Sequence, residues 1–200
     1  MVNTENLIIE AAAKEFAAKG FDGARTTAIA ARAGVTHAML HYYFRTKEQL
    51  FERITGDIFS TLIEMMTTAL TQPGLTLKER IAAGVRAHFD FVSLHREVPL
   101  FVISALHSSP AMMQSFISRI ANGAGVILTE IQAELDKAAD AGLICHVDAL
   151  MLLIDMVSLN VFPFLTSTML CTAFDMNDYE AFLTAKREEN VEIIMKRLQI

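Results

Sequence analysis

Apolar residues along this chain recur at intervals of three and four, so the pattern predicts helices, and the fold class it implies is all-α. In residues 5–21 the stripe is Ile8, Ala12 and Phe16, and Lys19-Gly20 marks a helix stop. The next stretch, TTAIAARAGVTHAMLHYYFRTK over residues 26–47, reads as a helix-turn-helix. Small or apolar residues stand at Ile29, Ala33, Val35, Leu40 and Tyr43, with Ala30 where two steeply crossing helices leave no room for a large side chain. Gly34 supplies a turn residue that tolerates left-handed dihedrals, and Thr36 is a good N-cap for the second helix. On a 3.6-residue period Leu40, Tyr43 and Phe44 point inward, while His37, Ala38, His41 and Tyr42 point out. Thr46 and Gln49 then form a capping box for a helix over 47–72 carrying Leu50, Ile54, Ile58, Leu62, Met66 and Leu70, ended by Pro73-Gly74.

Beyond it the pattern predicts a helix over 75–94 with Ile81, Val85, Phe89 and Val92 on one side, a boundary at 96–99, and a short segment at 100–107. Ser108-Ser109-Pro110 starts another that runs to Ala141, loosened at Gly123 and Gly125 and closed by Gly142. Residues 149–174 are apolar on most sides with Asp155 as their single charge, and Asp175 to Asp178 cap a last helix whose stripe is Tyr179, Phe182, Leu183, Val191, Ile194 and Leu198. A span of bilayer length fits 149–174 by hydropathy, but Asp155, Asn160 and Pro163 in its middle and the lack of a basic flank argue against a membrane. Burial in the body and against a second copy accounts for it better.

The first 50 residues resemble the TetR-type bacterial transcription regulators. The resemblance rests on Ala11-Ala12, Phe16 and Lys19-Gly20-Phe21, on Thr27, Ile29-Ala30 and Ala33-Gly34-Val35-Thr36, and on Leu40 to Phe44 with Lys47-Glu48 and Leu50. One position departs: where the family usually has Tyr after the Leu of its recognition helix, this chain has His41. The resemblance implies a three-helix DNA-binding domain over residues 1–48 and a divergent helical domain over 49–200 that binds a ligand and dimerises through the last two helices. It also implies a four-helix interface between subunits.

Charge sharpens this reading. The chain of 200 residues carries a formal net charge of −6, which argues against uniform affinity for nucleic acid. The charge is uneven: residues 23–47 hold Arg25, Arg32, Arg45 and Lys47 and no carboxylate. A local basic face on an acidic protein suits contact with phosphates by that face alone, and pairing two headpieces doubles its weight. With 52% hydrophobic residues, the chain has more apolar surface than a monomer of its size needs. Two cysteines, Cys145 and Cys171, make no disulfide framework, and the cytoplasm is the expected location.

The expected DNA-binding set is Arg25, Thr26, Thr27, Thr36, His37, Ala38, His41, Tyr42 and Lys47. Thr26, Thr27, Thr36, Tyr42 and Lys47 can donate to phosphates, though the threonines equally serve as helix caps. His37 and His41, four apart, can give or accept a bond at a base edge, and Ala38 between them lets the helix approach a thymine methyl. If both imidazoles lie near phosphates, protonation below about pH 6.5 tightens DNA binding.

No catalytic constellation stands out, so the expectation is not an enzyme, with no cofactor and no metal. His88 and His95 lack a third ligand on their face, and no phosphate-binding glycine motif is present. Polar residues inside apolar helices point instead to a ligand pocket: His107, Asp155 and Asn160, with Phe89, Phe101, Met112, Phe116, Met151 and Phe162 as walls. Such a pocket takes an apolar or amphipathic effector; hydrogen bonding of Asp155 and Asn160 within a dimer interface is an equal alternative. The function expected is a ligand-responsive homodimeric repressor on a near-palindromic double-stranded operator. The alternatives are a protein of the same fold acting through a protein partner, and a helical binding protein for apolar molecules.

Overall fold

The computed structural model describes residues 3–96, 98–100, 102–103 and 110–199. Among these the regular structure is helical and there is no strand. The helices are α1 (Thr4–Gly23), α2 (Thr26–Ala33), α3 (His37–Tyr43), α4 (Lys47–Leu70), α5 (Leu77–Leu94), α6 (Pro110–Asp140), α7 (Ala149–Leu165), α8 (Ser167–Ala173) and α9 (Tyr179–Arg197). They fall into two compact units, residues 1–61 with 97–121 and residues 62–96 with 122–200. The N-terminal unit holds α1 to α3, and α4 and α6 each run through both.

In the N-terminal unit Ile8, Phe16, Ile29, Leu40 and Leu50 are wholly buried, one or two from each helix. Phe21 stacks on Phe16 at 5.9 Å between ring centroids, and Phe51 meets both rings edge-on at 5.4 and 5.1 Å. Gly20 lets Phe21 reach this cluster: its φ of 67° and ψ of 176° break the helix before a last turn to Gly23. Gly34 has φ 69° and ψ 26°, and the amides of Gly34 and Val35 close the end of α2 on the carbonyls of Ala31 and Ala30. Thr36 caps α3 by accepting from the Met39 amide at 3.1 Å. Tyr43 departs from the expected inward set: it is exposed, and Phe44 takes the inward place because the chain turns extended there, at φ −133° and ψ 103°.

In the larger unit Ile81, Val85, Ile131, Leu135, Leu152, Met156, Val191 and Ile194 form the core. Thr76 and Glu79 make a full capping box at the start of α5. Arg80 donates to the Leu70 carbonyl at 2.9 Å and forks onto Glu134, which ties the end of α4 to α5 and α6. The glycines do not interrupt α6. A Cβ at Gly123 would lie 2.2 Å from Ile63 Cδ1, so a side chain there requires the end of the Ile63 side chain to move.

The apolar run over 149–174 is two helices, not one. Thr166, at φ −108° and ψ 10°, ends α7, and α8 leaves at 62° to it. No single helix among the described residues is long and apolar enough to cross a membrane; α7 and α8 reach the required length only as this bent pair. Pro163 lies inside α7 and has no N–H for the carbonyl four residues earlier, that of Leu159. The Asn190 side chain supplies the missing donor at 3.0 Å.

Candidate nucleic-acid interface

The first feature of the site is a carboxylate that sequence reasoning missed. Glu15 is 1% exposed, yet it lies one residue from Phe16 on the buried side of α1. It accepts from Lys19 Nζ at 2.7 Å, lies 3.7 Å from an Arg32 nitrogen, and is bonded by the backbone N–H of Arg25. The Lys19 hydrogen bond, aided by the charges of Lys19 and Arg32, holds its carboxyl below the usual carboxylate range against the opposing effect of burial. One acid thus fixes the start and end of α2 on α1. The Glu15–Lys19 spacing of four was the available signal, although it reads equally as a surface pair.

Held in this way, α3 presents its outer side to solvent. His37, Ala38, His41 and Tyr42 are all exposed, Tyr42 to 82%, as are Arg25, Thr27 and Thr36; Thr26 is half-buried. The two imidazoles meet edge to face at 4.5 Å. The Thr26 hydroxyl and His37 Nε2 lie 3.0 Å apart, which joins the first turns of α2 and α3. His41 Nδ1 lies 3.1 Å from the Arg45 carbonyl.

Lys47 is used differently from expectation. Its ammonium donates to the carbonyls of Phe21 at 2.8 Å and Ala24 at 3.3 Å and sits 4.4 Å from the centre of the Phe21 ring. These carbonyls close α1, so Lys47 neutralises the negative end of that helix and pins α4 to it. Its positive field still reaches the surface, but its N–H groups are already engaged.

Among the described residues, Phe89 and Asn160 of the expected pocket set lie apart from Met151, Asp155 and Phe162. Phe89 is buried against Phe164 at 5.4 Å, and Asn160, 0% exposed, faces α5 and α9. Met151, 52% exposed, and Phe162, 58% exposed, lie with Asp155 on the opposite side of α7, because the nine residues from Met151 to Asn160 make about two and a half turns. Asp155 pairs with Arg197 at 2.8 Å. Phe101 and His107 lie outside the described residues, as do the side chains of Met112 and Phe116 on α6.

Asn160 is the centre of a buried network. Its Nδ2 donates to the Val85 carbonyl at 3.0 Å and to His88 Nδ1 at 3.2 Å, and its Oδ1 accepts from Asn190 at 2.9 Å. His88 is therefore neutral with its proton on Nε2, and burial pushes its pKa down to about 4. His88 is a core histidine, then, and among the described residues no group of three His, Cys, Asp or Glu side chains is placed to hold a metal ion.

Comparison with known proteins agrees with this geometry. Among curated proteins, the HTH-type transcriptional regulator YdgC of Bacillus subtilis is 27% identical over 100 residues, 48% of this chain and 51% of YdgC. The fatty acid metabolism regulator protein of the same organism is 26% identical over 127 residues, 64% of this chain and 65% of that protein. The chain therefore spans about half to two thirds of the length of these relatives. Both are named as regulators. A crystal structure of the regulator FadR from Bacillus subtilis in complex with stearoyl-CoA shares the fold, with a TM-score of 0.73 at 20% identity over 97% of this chain and 99% of that one. Residues 8–54 match the model of the bacterial regulatory proteins of the tetR family, so the segment that holds α1, α2, α3 and the start of α4 is a TetR-type helix-turn-helix domain.

Proposed function

We propose that this chain is a homodimeric transcription repressor that binds a near-palindromic operator through α3 and leaves it when the body takes up a small apolar or amphipathic effector. The observation that carries the DNA contact is the outer side of α3: four exposed side chains in a stretch with four cations and no carboxylate. In the contact set, Tyr42, Thr27 and Thr36 donate to phosphates, Arg25 adds charge, His37, Ala38 and His41 meet base edges, and Thr26 orients His37. Lys47 contributes its field without a direct bond. Two copies of α3, one helical turn of DNA apart, fit successive major grooves.

Residues 1–48 are assigned to DNA and 49–200 to effector binding and dimerisation. The outer side of α7 supports self-association, since Leu150, Met151, Ile154 and Phe162 are all about half exposed and Ile193 of α9 is exposed as well. Paired α7 and α9 helices from two copies bury such a surface in a four-helix contact. The shared fold with a FadR solved with stearoyl-CoA supports a long-chain amphipathic effector. Such a cytoplasmic sensor transmits binding through α4 and α6, which are continuous through both units.

Selection from a random DNA pool tests the first part: a two-fold symmetric consensus is expected, and no enrichment removes the DNA reading. Affinity for that DNA with and without stearoyl-CoA tests the second. At least a tenfold weakening is expected, with DNA weakening acyl-CoA by the same factor. Equal affinities remove the effector role and leave the DNA reading intact.

A further inference from the structure

We infer that His41 is a specificity-determining residue that reads an exocyclic amino group, of adenine or cytosine, in the major groove; the inference rests on the DNA reading above. The ring's own hydrogen bond sets its tautomer. His41 Nδ1 lies 3.1 Å from the carbonyl oxygen of Arg45, and a carbonyl only accepts, so Nδ1 carries the proton. A neutral imidazole has one N–H, and Nε2 of His41 is therefore a bare lone pair. The bond spans the last turn of α3 and the residue after Phe44, so backbone geometry fixes both the tautomer and the orientation of the ring. His37, in edge-to-face contact at 4.5 Å and tied by its own Nε2 to Thr26, limits rotation from the other side.

A bare acceptor on the exposed side of α3 is selective for chemical reasons. Phosphate oxygens offer it no proton, and neither do guanine N7 and O6 or thymine O4. In the major groove the complementary donors are adenine N6 and cytosine N4. The side chain commonly found at this position in the family, a tyrosine, carries a hydroxyl that donates as well as accepts. The exchange for His41 thus replaces a contact indifferent to sequence with one that discriminates. The charged residues of the surrounding stretch, Arg25, Arg32, Arg45 and Lys47, are all cations.

The test uses the full chain at pH 8, where imidazoles are neutral. Wild-type protein is used to enrich a sequence from a random duplex pool. Each adenine in a half-site is then replaced by purine, and each cytosine by pyrimidin-2-one, which removes the exocyclic amine alone. At one position per half-site, loss of the amine is expected to weaken wild type about tenfold and to leave the H41F protein unaffected. Amine losses that weaken both proteins equally at every position overturn the inference while leaving DNA binding in place. Failure to enrich any sequence overturns the DNA reading and this inference with it. A second measurement needs no DNA: the imidazole ¹⁵N spectrum of the free protein is expected to show His41 with its proton on Nδ1, and a proton on Nε2 overturns the inference.

Discussion

The two units are each organised on a buried polar centre, and the two centres are built from opposite chemistry. In the N-terminal unit it is a charge: the Glu15 carboxylate, held by Lys19, Arg32 and the Arg25 amide, with its cations half in water. In the larger unit it is neutral: two amides and an imidazole, with Asn160 and Asn190 completely enclosed. A buried charge is tolerable where its partners reach solvent, whereas a fully enclosed centre is stable only if neutral and well bonded. The enclosed centre is therefore the more sensitive to substitution. Asn160→Leu, similar in volume, strips bonds from Val85, His88 and Asn190 together. It is expected to destabilise the larger unit by about 4 kcal/mol. Amide hydrogen exchange checks this unit by unit: protection of α9 is expected to fall far more than that of α1. Equal loss in both would show that the two centres are not independent.

The charged centre and the neutral centre also differ in how far the sequence discloses them. Around Glu15 the surrounding fold is local in origin. Gly34 at the turn, Thr36 as cap and Ala30 at the crossing each have a requirement met within a few residues, so the helix-turn-helix and the outward side of α3 are readable directly. What escapes is Lys47, whose partners Phe21 and Ala24 lie more than twenty residues upstream and whose charge reads as a phosphate contact. In the larger unit nearly everything that matters is of this second kind. Asn160 is recognisable as a polar residue in an apolar helix, but its partners are 30 to 75 residues away, so a pocket anchor and a core bond look alike. The bond from Asn190 to the Leu159 carbonyl, which Pro163 leaves without a helical donor, is likewise invisible until α7 and α9 pack together.

The contrast predicts different responses to acid. The His88 pKa is lowered to about 4, below the ordinary imidazole value. The unfolded chain therefore takes up a proton before the folded one does. Stability from this group is complete above about pH 6.5 and declines as pH falls from there toward 4, by about 3 kcal/mol over the window. Glu15 has a lowered value too, but its contribution is lost only as pH falls below the ordinary carboxylate range, so the N-terminal unit is expected to hold steady between pH 7 and 5. Urea unfolding followed by hydrogen exchange at pH 7, 6 and 5 should show α9 weakening while α1 does not. In H88Q the slope for the larger unit should vanish.

Glu15→Gln probes the charged centre in return. The amide retains the shape and can still accept from the Arg25 N–H, but the ionic bonds to Lys19 and Arg32 are lost. The expected cost is about 2 kcal/mol in the N-terminal unit at pH 7, with the larger unit unchanged. Because Glu15 positions α2 under α3, DNA affinity should fall more than stability alone requires. If affinity is unaffected, the anchoring of α2 is not what orients α3.

The smallest effect separates backbone strain from packing in the turn itself. At Gly34 an added Cβ meets nothing within 4 Å, so space does not demand glycine there; the φ of 69° does. Gly34→Ala is expected to cost about 1 kcal/mol from the left-handed conformation alone, and Gly34→Asn, whose side chain tolerates that region, distinctly less. Gly123 is the counterpart in the larger unit, where crowding by the end of the Ile63 side chain rather than the dihedral opposes a side chain. Asn should thus rescue position 34 and worsen position 123, and thermal melts of G34A, G34N, G123A and G123N decide it. If Asn is no better than Ala at 34, the turn tolerates a shift of α3, and the fixed presentation of His37 and His41 loses its mechanical basis.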